Sequence, residues 1–146
     1  MKKQRSLNLL FCLLLSISSM YAETIAGRWS IEKANKWYAQ YPWLTGCDYI
    51  PANADNQIEM WSKATYDHAT IDKELGWAEQ LGFKTLRVFL SSLVYAHDTD
   101  GLKTRMDDFL SICASHDIKP MFVFFDDCWN AISAYGPQPQ PLTGVH

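Results

Sequence analysis

Apolar residues recur at helical spacing from Thr70 onward, with Ile71, Leu75, Ala78 and Leu81 on one stripe. Thr70 is the expected N-cap, Asp72 favours the first turn, and Gly82 suits the C-terminal cap. Thr85-Leu86-Arg87-Val88-Phe89-Leu90 follows, short, apolar and partly β-branched, which predicts a strand buried on both faces. Leu102, Met106, Phe109, Leu110 and Cys113 form a second helical stripe, with Asp100 as its expected cap. Pro120 to Phe125 predicts another buried strand, opened by a proline where proline is tolerated. Earlier, Glu32 to Gln40 predicts a short helix, Cys47-Asp48-Tyr49-Ile50 a first strand stopped by Pro51, and Gln57 to Lys63 a helical turn.

Two strand-bearing pieces align. Phe83 to Leu90 matches Ile118 to Phe125, an offset of 35 (118 − 83). Eight strand–helix units in ~250 residues average about 31 each, so the offset fits a βα repeat. Such a repeat builds a parallel sheet through right-handed crossovers. Helix-to-strand connections are tight, at 82–84 and 117–119. Strand-to-helix connections are long, at 51–69, at 91–100 and after Asp126. Parallel α/β folds bind ligands beyond the carboxyl ends of their strands, where this sequence concentrates its aromatic and polar residues.

Side chains alternate along a strand. Burying a charge against covering helices is costly, so Arg87 is expected on the opposite, inward face. The repeat then predicts Phe122, Phe124 and Asp126 inward, with Met121, Val123 and Phe125 under the helices. Asp126 and Asp127 diverge as strand neighbours and so do not form an acid–base pair. Asp126 is expected to fix a hydroxyl or a rim arginine, and Trp129 either stacks on a sugar face or packs under its loop. Trp29, Trp37, Trp61 and Trp77 are expected to be structural, Trp77 above all because it lies in a regular helix.

The first residues break from this pattern. Lys2, Lys3 and Arg5 precede an apolar run from Leu7 to Ile17, and small residues lead to Ala22. This predicts a secretory signal peptide over 1–22 and a mature chain over 23–146, secreted or periplasmic. The run is shorter than the about 20 apolar residues of a membrane span, so the mature chain is expected to have none. Net charge is −3, which gives no basic surface for nucleic acid. Cys47, Cys113 and Cys128 follow the leader. Cys113 reads as a buried thiol, and a Cys47–Cys128 bridge has no support in spacing. No C-x-x-C pair points to zinc, Asp98-Thr99-Asp100-Gly101 reads as capping rather than a calcium loop, and no glycine-rich phosphate loop is present, so no metal or cofactor is expected. His97-Asp98 lacks a Gly-x-Ser-x-Gly elbow to serve, and His68 and His116 are expected at exposed loops or helix ends.

Trp43 to Pro51, Asn56 to Trp61, Ile71 to Glu79, Arg87 to Leu90 and Phe122 to Asn130 together resemble secreted bacterial glycoside hydrolases of the cellulase/β-1,4-xylanase-like group. The resemblance runs from about Trp29 to His146 and implies the N-terminal part, about three β/α units, of a TIM (β/α)8 barrel with parallel strands. It implies a retaining hydrolase of a β-linked polysaccharide or oligosaccharide. In that group the acid/base glutamate follows strand four and the nucleophile ends strand seven, so neither catalytic residue is expected in this chain. Arg87 matches the strand-two arginine that helps position those carboxylates. By position, Asn56, Asp126, Trp129, Asn130 and the rim residue His146 would line the sugar cleft. Ser91 and Tyr95 stand where relatives often carry His and Trp. The fragment is expected to be inactive alone. The alternative is a complete secreted α/β module that binds carbohydrate without cleaving it.

Overall fold

The computed structural model describes residues 26–41, 43–126, 132–140 and 142–144. The chain divides into two compact units, split after Pro42. In the first, helix α1 (Ile31–Tyr38) starts at Ser30, whose hydroxyl accepts the Lys33 N–H, with Glu32 in the first turn and Lys36 in the last. Both charges complement the helix dipole. Trp37 packs edge-on against Trp29, and the Lys33 ammonium lies 4.4 Å from the Trp29 ring. The expected leader over 1–22 lies outside the described residues.

The second unit is a strand–helix alternation: β1 (Gly46–Tyr49), α2 (Gln57–Trp61), α3 (His68–Gln80), β2 (Thr85–Leu90), α4 (Ser92–His97), α5 (Thr99–Ser115) and β3 (Lys119–Phe124). The three strands form one parallel sheet in chain order, β1-β2-β3. Helix starts differ from expectation by a local rule. Asp67, not Thr70, caps α3 by accepting the Thr70 N–H, and Asp98, not Asp100, caps α5 by accepting the Gly101 N–H. In each case an aspartate two or three residues before the expected cap accepts a first-turn amide that a later cap would leave unpaired. The segment after β2 is not a plain loop. Ser91 is fully buried, accepts the Leu93 N–H and starts α4.

Leu86, Val88 and Leu90 point to one side of β2 and are at most 1% exposed. They pack with Ile71 and Leu75 of α3 and with Leu102, Phe109, Ile112 and Cys113 of α5 in one core. Trp61 of α2 sits in its centre, against Phe109, Phe122 and Tyr66. Arg105 is also nearly buried. Its Nε donates to the Trp61 carbonyl at 2.7 Å and its Nη2 to Asp98 at 3.0 Å. A buried guanidinium is tolerated because these partners satisfy it. Leu81 and Leu110, both assigned to the helical stripes, are exposed, and Trp77 is half out of the protein with Lys73 over its ring. Trp77 therefore does not fill the core: its position in a regular helix left open which face it occupies.

The repeat is visible at the turns. Gly82 and Asp117 both adopt left-handed backbone, at φ 82° and 54°. Each is followed by the same closing bond, Phe83 N–H to the Ala78 carbonyl and Ile118 N–H to the Cys113 carbonyl, as in Schellman caps. These turns repeat at 35 (117 − 82), but Arg87 pairs with Met121, an offset of 34 (121 − 87). The sheet is staggered by one residue against the repeat. A one-residue slip exchanges the faces of a strand. Phe122 is consequently not inward: it pairs with Val88 and touches Trp61 and Phe109 on the helix side. Met121 is not under the helices: it shares the open face with Arg87 and is 57% exposed. Phe124 pairs with buried Leu90 rather than with the Arg87 row and is itself exposed.

Candidate functional site

The sheet has a covered face and an open one. On the open face, Asp48, Arg87 and Met121 form one row across the three strands. The row one residue on, Tyr49, Val88 and Phe122, lies on the covered face. The Arg87 guanidinium meets the Asp48 carboxylate twice, Nε to Oδ1 at 2.7 Å and Nη2 to Oδ2 at 2.8 Å. This bidentate geometry fixes both side chains in plane. The guanidinium also lies 5.1 Å from the centre of the Phe89 ring, on the same strand face. Both ionic partners keep about half of their surface in solvent, so the pair adds little to stability. Arg87 has five N–H donors and Asp48 several lone pairs, so the pair retains capacity to hydrogen-bond a polyhydroxylated ligand. A shallow, open depression of about 350 Å³ lies over it, lined by Leu44, Gly46, Cys47, Asp48, Thr85, Arg87 and Met121.

The carboxyl ends of the strands are built differently. Asn56 is half-buried and caps α2, its side-chain oxygen accepting the Ile58 and Glu59 N–H groups. Its amide nitrogen donates to the side-chain oxygen of Gln138 at 2.9 Å. Gln57 donates to the Asp126 backbone carbonyl, and Gln140 to Asp55. Gln138 is nearly buried and donates back to the Ala134 and Gly136 carbonyls. The loop after β1 is thus laced to segment 132–140 by amide hydrogen bonds. Beside this lacing lies a small apolar cavity of about 160 Å³, lined by Glu59, Ser62, Ala64, Thr65 and residues 135–137. Tyr135 stacks on His97 with ring centres 4.4 Å apart, while Asp98 serves Arg105 and the α5 cap. His97 and Asp98 therefore do not act as a pair. The Arg105 guanidinium holds the Asp98 carboxyl below the usual carboxylate range.

Of the six expected binding residues, the structure puts Arg87 on the open face and Asn56 and Asp126 at the strand-end rim; Trp129, Asn130 and His146 lie outside the described residues. Asp127 and Cys128 also lie outside them. Cys113 is buried, and burial pushes its thiol up to about 12. Cys47 is exposed, its thiol raised first by local burial and then by Asp48.

Several other described carboxylates have structural partners. Glu74 accepts from the Tyr49 hydroxyl and the Ala52 N–H, and Asp108 from Tyr66 and His68. Asp117 is held by Lys84 and Lys119. Asp48 was not singled out from the sequence. Its signal was a carboxylate inside an otherwise uncharged strand, which needs either solvent or a cation on the next strand. No three histidine, cysteine or acidic residues converge on a metal-binding geometry among the described residues, and no helix among them is long and apolar enough to cross a membrane. Comparison with protein-family models, with curated proteins and with solved structures finds no match to this chain.

Proposed function

We propose that this chain supplies the first three β/α units of a secreted barrel hydrolase acting on a β-linked polysaccharide, and that its contribution is to bind and orient sugar. The observation that carries the proposal is the Asp48–Arg87 pair on the uncovered face of an in-order parallel sheet. Three features support the barrel. The strands run in sequence order, the core helices pack on one face rather than two, and the sheet is staggered by one residue against its repeat. The one residue of stagger seen between β2 and β3 equals the average per strand that a shear of eight gives an eight-stranded barrel. The uncovered face would then be the lumen. The sequence resemblance to cellulase/β-1,4-xylanase-like hydrolases supports the substrate class.

Retaining cleavage needs two carboxyl groups about 5–5.5 Å apart, one as nucleophile and one as acid/base. Among the described residues the carboxylates named above serve caps, cations and hydroxyl donors instead. The chain is therefore expected to bind glycan without cleaving it, which is also what a non-catalytic carbohydrate-binding module would do. The test is depletion of the purified chain from solution by insoluble cellulose and xylan, run beside a reducing-sugar assay. Binding that weakens in Arg87→Ala, without sugar release, is the expected result. Absence of binding to either polymer would refute the proposal, as would sugar release abolished by substituting one of this chain's carboxylates.

A further inference from the structure

His116 closes α5 as its C-cap residue, and its side chain is 17% exposed. Its Nδ1 lies 2.8 Å from a Glu79 carboxylate oxygen, and its Nε2 lies 3.0 Å from one of Asp72. Both acceptors belong to α3, one turn on either side of Gly76, whose added Cβ would meet the imidazole at 3.5 Å. A neutral imidazole carries one N–H, so one ring nitrogen would turn a lone pair on an ionised carboxylate. Only the imidazolium donates to both. The carbonyl end of α5 favours the same charge.

We propose that His116 is a proton-operated latch between α3 and α5, closed when the imidazole is charged and opened when it loses its proton. A second contact works in the same sense: His68 Nδ1 at the start of α3 meets Asp108 of α5 at 2.8 Å. Among the described residues, the charged surroundings of His116 are few. From α3 come Asp72 and Glu79, while Lys73 is turned over Trp77. In the turn after α5, Asp117 is paired with Lys84 from the α3–β2 connection and with Lys119 of β3. No cation among these is paired with the carboxylates that hold the ring.

The hydrogen bond to Glu79 is the largest cause raising the His116 pKa above its ordinary value, with Asp72 adding to it. His68 is raised chiefly by Asp108. A pKa raised in the folded state gives stability that is full below the unfolded value, about 6.5, and is lost as pH rises through the folded value. The latch therefore holds the helix layer in mildly acid conditions and loosens it as pH rises through the raised folded-state value. Because it joins the helix layer far from the open sheet face, it does not depend on what that face binds.

Two measurements test the latch on the whole chain. Proton NMR titration of the His116 Cε1–H is expected to give a midpoint above 6.5; a midpoint at or below 6.5 overturns the proposal. Thermal unfolding at pH 6 and pH 8.5 is expected to show a lower melting temperature at the higher pH. That difference should shrink in His116→Gln, whose amide has no charge to lose. An unchanged difference in the variant also overturns it. The NMR arm needs only the unsubstituted protein, so a variant that fails to fold leaves the test intact.

Discussion

Replacing Trp61 with Phe probes the centre of the fold most sharply. The indole is fully buried, and its ring centre lies 5.5–6.2 Å from those of Phe109, Tyr66 and Phe122. Its Nε1 donates to the Phe89 carbonyl at 2.8 Å, which ties α2 to the strand that carries Arg87. Phe keeps the six-membered ring and loses the donor and the pyrrole edge. The lost hydrogen bond costs about 1 kcal/mol. The space left by the pyrrole edge adds roughly 1–2 kcal/mol, since full truncation of a buried Trp to Ala costs about 3–5 kcal/mol. The sum, about 2–3 kcal/mol, is a large share of a domain stability of about 5–15 kcal/mol. Urea unfolding followed by far-ultraviolet circular dichroism reads it directly as a shift in midpoint at constant slope. Trp77→Phe is the internal control: Trp77 is 52% exposed, and its change should stay within about 0.5 kcal/mol. A Trp61→Phe loss no larger than that of Trp77→Phe would refute the packing described for this core.

Other outcomes follow from single contacts. A Cβ on Gly46 would overlap the Thr85 backbone carbonyl of the neighbouring strand, so Gly46→Ala should part β1 from β2 and lower the unfolding midpoint by more than Gly76→Ala, where the added Cβ meets only the His116 ring at an ordinary 3.5 Å. Peptide mapping after brief iodoacetamide treatment should find Cys47 modified in the native protein and Cys113 only after denaturation, because the Cys113 thiol is buried and pushed up to about 12. Lys119 and Lys84 hold the Asp117 carboxyl down to about 2, so its contribution to stability is complete above the unfolded value near 3.9 and fades as pH falls toward 2. Asp117→Asn should flatten that part of an acid titration of the melting temperature. Met121, Phe124, Phe125 and Tyr95 are each more than 40% exposed, so the isolated chain should bind a hydrophobic dye such as ANS in its native state, with no binding as the contrary result.

The sequence made the bounds of β2 legible because β-branched and apolar residues ran between a glycine and a serine, but the strand is buried on one face only, not on both as expected, because the helices cover just that side. The open placement of Arg87 was also legible, since a charge on a strand with one covered face has few other places to go. The faces of β3 were not. The repeat between Phe83 and Ile118 is correct at the turns, yet pairing across a staggered sheet differs from it by one residue, and one residue is enough to exchange Met121 and Phe122. Helix α4 escaped notice because six residues carry too little periodicity to separate from a loop, and its cap, Ser91, also ends the strand. Asp48 and His116 were missed for a shared reason. Each acts through a partner dozens of residues away, Arg87 in one case and Asp72 with Glu79 in the other, and only the folded chain brings these partners within hydrogen-bonding distance.

The claim that the uncovered sheet face grips sugar is tested most directly by titrating short β-1,4-linked gluco- and xylo-oligosaccharides into isotope-labelled chain and following its NMR signals. Perturbation of the Arg87 side-chain Nε–H and of the amides of Asp48, Arg87 and Met121, absent in Arg87→Ala, is the result expected. Saturating perturbation confined to the helix layer around α3 and α5, or none with either sugar, would contradict it.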